Sequence, residues 1–391
     1  MKSVLILGRH NNIALAELFS LYGENYFKYL TNNIALSSLE PVDFDIDRLG
    51  GILKIGRLLT QAETLDWDQI ETFITNAIKA QNKKHKVVFG ISVYNHQLNP
   101  KQILKLSLNI KKRLALLNIS SRFVVSDKLE LNAAQIINNR LHKAQNYEFL
   151  IIKDNNLFRI GQTSMIQNIN NYSKRDFKRP YRDSKVGMLP PKLAQIIINL
   201  AIGPNFSQKD LVLLDPFCGS GVILQEALLM NVAVIGSDLN PRMVEYSKNN
   251  IEWLRKLYKL DSKLTSNIIE GDATNQSWSG FDVVASETLL GPPLSRYPSE
   301  SELSSILDNM NQLIRAFLYN LKPQLKRSGR VCLALPIWRN GPNQFKALPI
   351  LDQIEAMGYN FIDFKSINSK QLIYIRDNQI VGRQLLIITK E

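Results

Sequence analysis

At 391 residues, with 45% hydrophobic and 21% charged residues, this chain has the composition of a soluble globular protein of two or three domains. No stretch reaches the roughly 20 apolar residues of a membrane-spanning helix. The two cysteines are too far apart in the chain to suggest a disulfide scaffold. Neither they nor the four histidines have the spacing of metal ligands, which excludes structural zinc and iron–sulfur clusters. The net charge of +13 favours a polyanionic partner, and we expect a cytoplasmic protein that needs neither a membrane nor a metal.

The first 80 residues alternate short apolar runs with helical patterns and predict an N-terminal α+β domain. We predict strands at 3–7 and 51–55 and helices at 14–22 and 66–80. The first apolar run is too short for a signal peptide. A polar break at 81–86 then marks the predicted domain boundary.

A second α+β module is predicted at 81–165, followed by a basic linker at 166–187. Its strands are predicted at 87–94, 121–125, 147–153 and 157–163, and its helices at 99–117 and 132–143. Between Lys101 and Lys185 there are 17 Lys and Arg against 6 Asp and Glu, a net +11 of the total +13. Such segregated charge predicts a phosphate-binding surface, the alternative being a solvated helix face with a basic linker.

From residue 188 onward, alternating strands and helices predict a parallel α/β sheet. The strands are predicted at 211–214, 232–237, 267–270, 281–286 and 330–335, and the helices at 192–201, 221–230, 242–257 and 301–325. The tail, at 367–375 and 381–389, predicts an antiparallel hairpin on the edge of this sheet.

Three carboxylates follow successive strands of the predicted sheet. Asp215 opens the glycine-rich turn at 215–221, Asp238 ends the next strand, and Asp272 follows the third. Glycines at a strand-to-helix turn let a ligand approach the backbone, and Leu224 occupies the third small position that a dinucleotide fingerprint requires. An acid after the second strand suits ribose hydroxyls, and one after the third suits an adenine amine. The pattern predicts a nucleoside ligand other than NAD or FAD.

These residues resemble the Rossmann-like class I methyltransferases, and the DPFCGSG turn at 215–221 is typical of nucleic-acid amino-methyltransferases. The stretches RDFKRP at 175–180 and GMLPPKLA at 187–194 look like those of the THUMP-domain tRNA guanine-N2 methyltransferases, and 7–9 with 15–18 are similar to their N-terminal start. The resemblance implies a ferredoxin-like domain at 1–80, a THUMP-like RNA-binding domain at 81–165 and a catalytic domain at 188–391. It also implies S-adenosylmethionine as cofactor and tRNA as partner.

The predicted cofactor contacts are Asp215, Pro216, Gly219, Gly221, Asp238, Leu239, Asp272 and Ala273. By the resemblance, Asp215, Gly219 and Gly221 hold the amino-acid part of the cofactor, Asp238 the ribose and Asp272 the adenine. Cys218 belongs to this turn, which argues against its being a methylation nucleophile.

The fourth strand departs from the family's Asp/Asn-Pro-Pro-Tyr/Phe motif, because the chain reads ETLLGPPL at 287–294. Aligned directly after the strand, Glu287 takes the acidic position; aligned on Pro292 and Pro293, Gly291 replaces the acid and Leu294 the aromatic residue. An exocyclic amine is a poor nucleophile, so such a site must accept its N–H bonds and aim it. We therefore predict Glu287, Pro292 and Pro293 as catalytic residues of a variant site, with a structural Gly-Pro-Pro turn as the alternative.

Arg296 and Tyr297 lie close behind this stretch and are candidates to compensate for the missing aromatic residue. The predicted reaction is direct methyl transfer to guanine N2 of tRNA, without a covalent intermediate. Two alternatives stay open: methylation of another RNA or DNA amine, such as adenine N6, and a non-catalytic tRNA-binding protein that keeps the cofactor fold.

Overall fold

The computed structural model describes residues 1–31, 33–63, 66–81, 86–155, 157–182, 188–205, 210–342 and 344–391. Its strands, in chain order, are β1 Ser3–Leu7, β2 Phe27–Tyr29, β3 Ile34–Ser37, β4 Ile52–Ala62, β5 Val87–Tyr94, β6 Ser121–Val124, β7 Asn146–Asp154, β8 Leu157–Ile166, β9 Val212–Asp215, β10 Ala233–Asp238, β11 Ser266–Glu270, β12 Val283–Glu287, β13 Arg330–Gly341, β14 Gln344–Lys346, β15 Tyr359–Phe361, β16 Ile373–Tyr374 and β17 Val381–Lys390. Its α-helices are α1 Asn11–Tyr22, α2 Trp67–Gln81, α3 Pro100–Leu116, α4 Ala133–Asn138, α5 Ile169–Phe177, α6 Pro191–Ile202, α7 Val222–Leu229, α8 Pro241–Tyr258 and α9 Glu300–Leu321. Short 3-10 helices lie at Glu24–Tyr26, Pro41–Asp43, Gly203–Asn205, Pro349–Gln353 and Ser369–Gln371. Among the described residues, no helix combines the length and apolarity needed to cross a membrane.

The chain divides into two compact units. The first unit contains residues 1–9, 25–47 and 52–169, and the second contains 10–24, 48–51 and 170–391. Strands β1 to β8 form one sheet in the order β2-β3-β1-β4-β8-β7-β5-β6. The boundary predicted at residues 80 and 81 therefore falls within one continuous sheet, and most of the polar break, 82–85, lies outside the described residues.

The core of the first unit forms where α2 and α3 cover the sheet. Ile70, Ile74 and Ile78 recur at the four-residue spacing of one helix face and pack with Ile110 and Leu114 of α3. Proline at the first position of α3 and the reciprocal Asn99–Gln102 capping box set its start. The lysines of α3 are all exposed to solvent, away from this core.

The second unit contains a largely parallel sheet in the order β11-β10-β9-β12-β13-β17-β15. Strands β11, β10, β9, β12 and β13 run parallel, and β17 pairs antiparallel with β13. The predicted parallel α/β sheet is thus confirmed. β16 pairs antiparallel with β17, as the hairpin prediction requires, but β17 lies between β13 and β15 rather than at the edge.

Part of the predicted linker is helical. α5 covers residues 169–177, and Arg175 and Arg179 are only 7% and 3% exposed. Arg175 Nε donates to Glu226 Oε1 of α7 at 2.7 Å, so a buried acid compensates the buried guanidinium. The charge of this stretch is therefore partly internal to the second unit, while residues 183–187 of the predicted linker lie outside the described residues.

Helix α1 belongs to the second unit, where a buried carboxylate anchors it. Glu17 accepts hydrogen bonds from the backbone N–H groups of Gly50 and Gly51, at 2.9 and 2.8 Å, and from Asn199 Nδ2 at 2.7 Å. Burial raises the pKa of Glu17 to about 7, although these donors oppose the shift. The side chain thus ties α1 to α6 and to the 48–51 segment.

Replacing Glu17 with alanine is expected to lower the free energy of unfolding by about 3 kcal/mol, because three buried donors lose their acceptor. Urea unfolding followed by circular dichroism measures this loss. Glu252→Ala, at an exposed position of α8, is the control and is expected to change stability by less than about 0.5 kcal/mol. Equal stability of the two variants would contradict an anchoring role for Glu17.

Candidate active site

A cavity of about 370 Å³ opens at the carboxyl ends of β9, β10, β11 and β12. The strand order reverses between β9 and β12, and open α/β sheets bind ligands at such a switch point. Eight predicted site residues line the cavity: Asp215, Pro216, Gly219, Asp238, Leu239, Asp272, Ala273 and Glu287. Three others, Gly221, Pro292 and Pro293, are not among its lining residues.

The two glycines of the β9–α7 turn serve different purposes. Gly219 has φ +51°, and a Cβ added there would meet nothing within 4 Å, so a ligand can approach the backbone from the cavity. Gly221 has φ +80°, and a Cβ added there would lie 2.3 Å from Ser247 Oγ of α8. Gly221 is required by backbone conformation and by helix packing, which explains why it lies outside the cavity.

Asp238 orders the loops on both sides of it. Its Oδ2 accepts from Gly219 N–H and its Oδ1 from Asn240 N–H, both at 2.9 Å. Each carboxylate oxygen has two lone pairs, so both retain capacity for a further donor. The carboxylate is held in place and is still able to accept two hydroxyl groups from the cavity.

Asp272 closes a turn after β11. Thr274 donates to Asp272 Oδ1 through its N–H, at 2.9 Å, and through its hydroxyl, at 2.8 Å. Both bonds go to one oxygen, which leaves Oδ2 as the better acceptor for a ligand N–H. Asp272 and Ala273 together line the side of the cavity next to β11.

Asp215 is a buried acid at the start of the β9–α7 turn. Burial raises its pKa to about 7; Ser286 Oγ, which donates to Oδ1 at 2.5 Å, opposes the shift, while the charges of Asp238 and Glu287 add to it. Among the described residues, Oδ2 makes no hydrogen bond. A cationic ligand group would find there a carboxylate whose ionisation it stabilises.

Glu287 ends β12 and faces the cavity. Its Oε1 accepts a hydrogen bond from Arg383 Nε of β17 at 2.6 Å. Burial raises the pKa of Glu287, and the adjacent Arg383 guanidinium opposes that rise. Pro292 and Pro293 are exposed, and Thr288, Leu289 and Leu290 line the cavity instead.

The two residues suggested as substitutes for the missing aromatic lie outside the cavity lining. Arg296 forms a two-pronged ion pair with Glu302, at 2.9 and 3.0 Å. Tyr297 donates from its hydroxyl to Asn340 Oδ1 at 3.2 Å. Both contacts brace the exposed loop before α9.

Several lining residues were not predicted as cofactor or catalytic contacts. Apolar side chains form much of the wall, including Phe217, Val222, Ile223, Met243, Leu290 and Leu313. Cys218 also lines the cavity, and burial raises its thiol pKa well above the usual value, which argues against a thiolate nucleophile. Arg383, which contacts Glu287 from outside the lining, was also missed, because its sequence signal is a single charge in a mostly apolar strand.

The strand order, with β17 antiparallel beside β13, is that of the Rossmann-like fold of class I methyltransferases. A family described as "RMKL-like, methyltransferase domain" matches residues 179–346, and one described as "DNA methylase" matches residues 61–249. The chain aligns over its full length with a crystal structure of TrmN from Thermus thermophilus, all of which is covered, with a TM-score of 0.51 and 14% identity. This likeness confirms the predicted fold class.

Two curated relatives are similar over part of the chain. A tRNA (guanine(10)-N2)-dimethyltransferase of Methanothermobacter thermautotrophicus is 32% identical over 163 residues, which cover 41% of this chain and 42% of the relative. A protein of the same name from Pyrococcus abyssi is 28% identical over 193 residues, or 48% of this chain and 46% of the relative. The chain thus spans less than half the length of the curated relatives it matches.

Proposed function

We propose that this protein is an S-adenosylmethionine-dependent methyltransferase that modifies an exocyclic amine of a tRNA base, with guanine N2 as the target. The observation that carries the proposal is the meeting of Asp215, Asp238, Asp272 and Glu287 around one cavity at the switch point of the sheet. The names of the two curated relatives support the choice of tRNA and of guanine N2.

The cavity fits S-adenosylmethionine. Asp238 would accept from the two ribose hydroxyls, Asp272 from the adenine amine, and Asp215 from the α-ammonium group. The open backbone at Gly219 would let the amino-acid part lie against the turn, and the apolar wall suits the rest of the ligand. When bound, the cofactor supplies a methyl group on a positively charged sulfur, which leaves as a neutral thioether with the electrons of the broken C–S bond.

Glu287 would address the target amine. The amine lone pair forms the new C–N bond, so the nitrogen becomes positively charged and must release one proton. Glu287 Oε2, whose neighbouring Oε1 is occupied by Arg383, can accept an amine N–H bond before transfer and receive or relay that proton afterwards. Most of the rate would come from orienting a weak nucleophile in a site shielded from water.

The first unit would supply the tRNA-binding surface, with 81–165 as a THUMP-like region and 1–80 as a ferredoxin-like region. α3 carries four exposed lysines, Lys101, Lys105, Lys111 and Lys112. Arg122, Lys128, Arg140 and Lys143 are exposed in the same unit. Neutralising backbone phosphates with such side chains gives affinity that falls steeply with salt and depends little on sequence.

A second candidate is methylation of adenine N6 in RNA or DNA, which the match to a DNA methylase family favours. Transfer from labelled S-adenosylmethionine to unmodified total tRNA, ribosomal RNA and DNA, compared at equal nucleotide concentration, distinguishes the candidates. The proposal requires label in tRNA. Label in DNA alone would favour the second candidate, and cofactor binding without transfer would favour a non-catalytic tRNA-binding protein.

Cofactor affinity is expected to depend on the ionisation of Asp215, whose pKa is raised to about 7. Ligand ammonium binds the carboxylate form, so affinity is high above this pKa and falls as the pH drops through it. Titration calorimetry with S-adenosylmethionine should show a loss of roughly tenfold or more between pH 7.5 and pH 5.5. Asp215→Asn is expected to bind weakly with little pH dependence, and a flat profile in the wild type would contradict the assignment.

A further inference from the structure

We infer that Arg383 is a positioning residue for the proposed reaction: it holds the Glu287 carboxylate ionised and leaves Oε2 directed at the target amine. The inference rests on the proposed function, because it assigns the means by which Glu287 stays able to accept a proton. Arg383 lies 96 positions after Glu287, on β17, and none of the described residues that line the cavity belongs to that strand.

The position of Arg383 restricts the orientation of the Glu287 carboxylate. Arg383 is 4% exposed and faces Pro336 of β13 and Tyr374 of β16 in the strand register. Its Nε donates to Glu287 Oε1 at 2.6 Å, within the range of charge-assisted hydrogen bonds. Since β17 is paired on both sides, the guanidinium has little freedom, and the bond to Oε1 fixes the orientation of the carboxylate plane.

The electrostatics explain why an arginine is needed there. Glu287 is partly buried at the rim of a cavity that is also lined by Asp215, Asp238 and Asp272, and the charge of Glu287 acts on that of Asp215. Among the described residues, the cation in the lining is Arg242 of α8, whereas Arg383 lies outside the lining and is in direct contact with Glu287. Without Arg383, burial and the neighbouring acids would favour the protonated form of Glu287, which cannot receive the amine proton.

A purely structural role is a poor explanation of this pair. A buried ion pair contributes little net stability compared with apolar residues of similar volume, because both charges lose their hydration. Beyond the buried Gln384, the strand that follows Arg383 is apolar, with Leu385, Leu386, Ile387 and Ile388 fully packed. The cost of burying a cation here is understandable if the carboxylate that it contacts must remain charged.

The test compares the wild type with Arg383→Gln and Arg383→Lys, measuring kcat and KM for tRNA methylation from pH 5.5 to pH 9. Arg383→Gln is expected to lower kcat at pH 7 by roughly tenfold or more and to move the acid limb of kcat upward by about one pH unit, with KM for the cofactor nearly unchanged. Arg383→Lys, which keeps the charge, is expected to recover part of the rate. The control is Arg330→Gln, which removes a partly buried arginine of β13 and should leave the pH profile unchanged.

Thermal unfolding provides a readout that needs no activity. Losing Arg383 raises the folded-state pKa of Glu287 further above its unfolded value, so ionisation of Glu287 then opposes folding. The Tm deficit of Arg383→Gln relative to the wild type should therefore grow as pH rises from 5 to 8. In a Glu287→Gln background, the same substitution should cause a deficit that does not change with pH.

Two results would overturn the inference: an unshifted pH profile in Arg383→Gln, or a Tm deficit equal at every pH. A wild type that methylates no nucleic acid would contradict the proposed function instead. In that case the unfolding measurements still decide whether Arg383 keeps Glu287 ionised.

Discussion

Replacing Asp238 with alanine is expected to weaken cofactor binding by more than a hundredfold. The variant loses two hydrogen bonds from ribose hydroxyls to a charged acceptor, together worth about 3 kcal/mol. It also releases the backbone N–H groups of Gly219 and Asn240, so the turn against which the ligand lies loses its support. Titration calorimetry with S-adenosylhomocysteine measures this loss directly, without any requirement for turnover.

The control for Asp238→Ala is Asp308→Ala, which removes an exposed acid from α9. This control should bind the ligand with the affinity of the wild type. Asp238→Asn is informative as well, because it retains one acceptor oxygen and is expected to bind with intermediate affinity. Wild-type affinity in Asp238→Ala would mean that the ligand occupies another site.

Replacing Glu287 with glutamine is expected to lower kcat by roughly a hundredfold to ten-thousandfold, the range that general base catalysis contributes. The amide is nearly the same size, but it cannot take up a proton and presents a donor where the amine N–H needs an acceptor. Cofactor affinity should stay within about threefold of the wild type, since the proposed ribose, adenine and ammonium contacts are elsewhere. Single-turnover methylation with saturating cofactor isolates this chemical effect.

Glu302→Gln is the matched control for this second substitution. Glu302 belongs to the capping box of α9 and to the ion pair with Arg296, close in sequence to Glu287 but outside the cavity lining. Its loss is expected to affect stability modestly and kcat little. A Glu287→Gln protein as active as this control would exclude Glu287 as the acceptor. The backbone of residues 288–290, which also line the cavity, would then be the candidate acceptor.

The parallel sheet of the second unit was predictable because local signals agree with its packing. The apolar runs that become β9 and β10 are each followed by a helix, α7 and α8, and the order of strands connected in this way follows from right-handed crossovers. Short strands such as β2 and β15, of three residues each, lack a periodic signal of their own. β15 pairs with β17, beyond β16 in the chain, which a local pattern does not identify, whereas β2 pairs with the neighbouring β3.

The sequence also failed to predict where one helix ends and how the charged residues of the predicted linker are placed. The helix predicted at 132–143 ends at Asn138, and Arg140, two residues on, adopts φ +55°, a conformation that arginine does not signal in advance. In the predicted linker, the high density of charged residues predicts that their side chains are exposed to solvent. The structure pairs Arg175 with Glu226, 51 positions away, and the two charges are buried together.

The residues of the candidate site also differ in whether the local sequence predicts them. Asp215, Asp238 and Asp272 were predictable because each directly follows a strand, and parallel strands bring their carboxyl ends to one edge. The structure brings Glu287 to that edge and leaves Pro292 and Pro293 at the surface. Arg383 could not be predicted, since its pairing with Glu287 requires β13 and β17 to assemble first.

The most direct test of the central claim is identification of the methylated nucleoside. Unmodified tRNA is incubated with the wild-type protein and S-adenosylmethionine, digested to nucleosides and analysed by mass spectrometry, with Asp238→Ala and Glu287→Gln proteins in parallel. We expect N2-methylguanosine or N2,N2-dimethylguanosine with the wild type and strongly reduced amounts with both variants. Methylation of a different base, or no methylated nucleoside despite measurable cofactor binding, would contradict the assignment of guanine N2 in tRNA as the target.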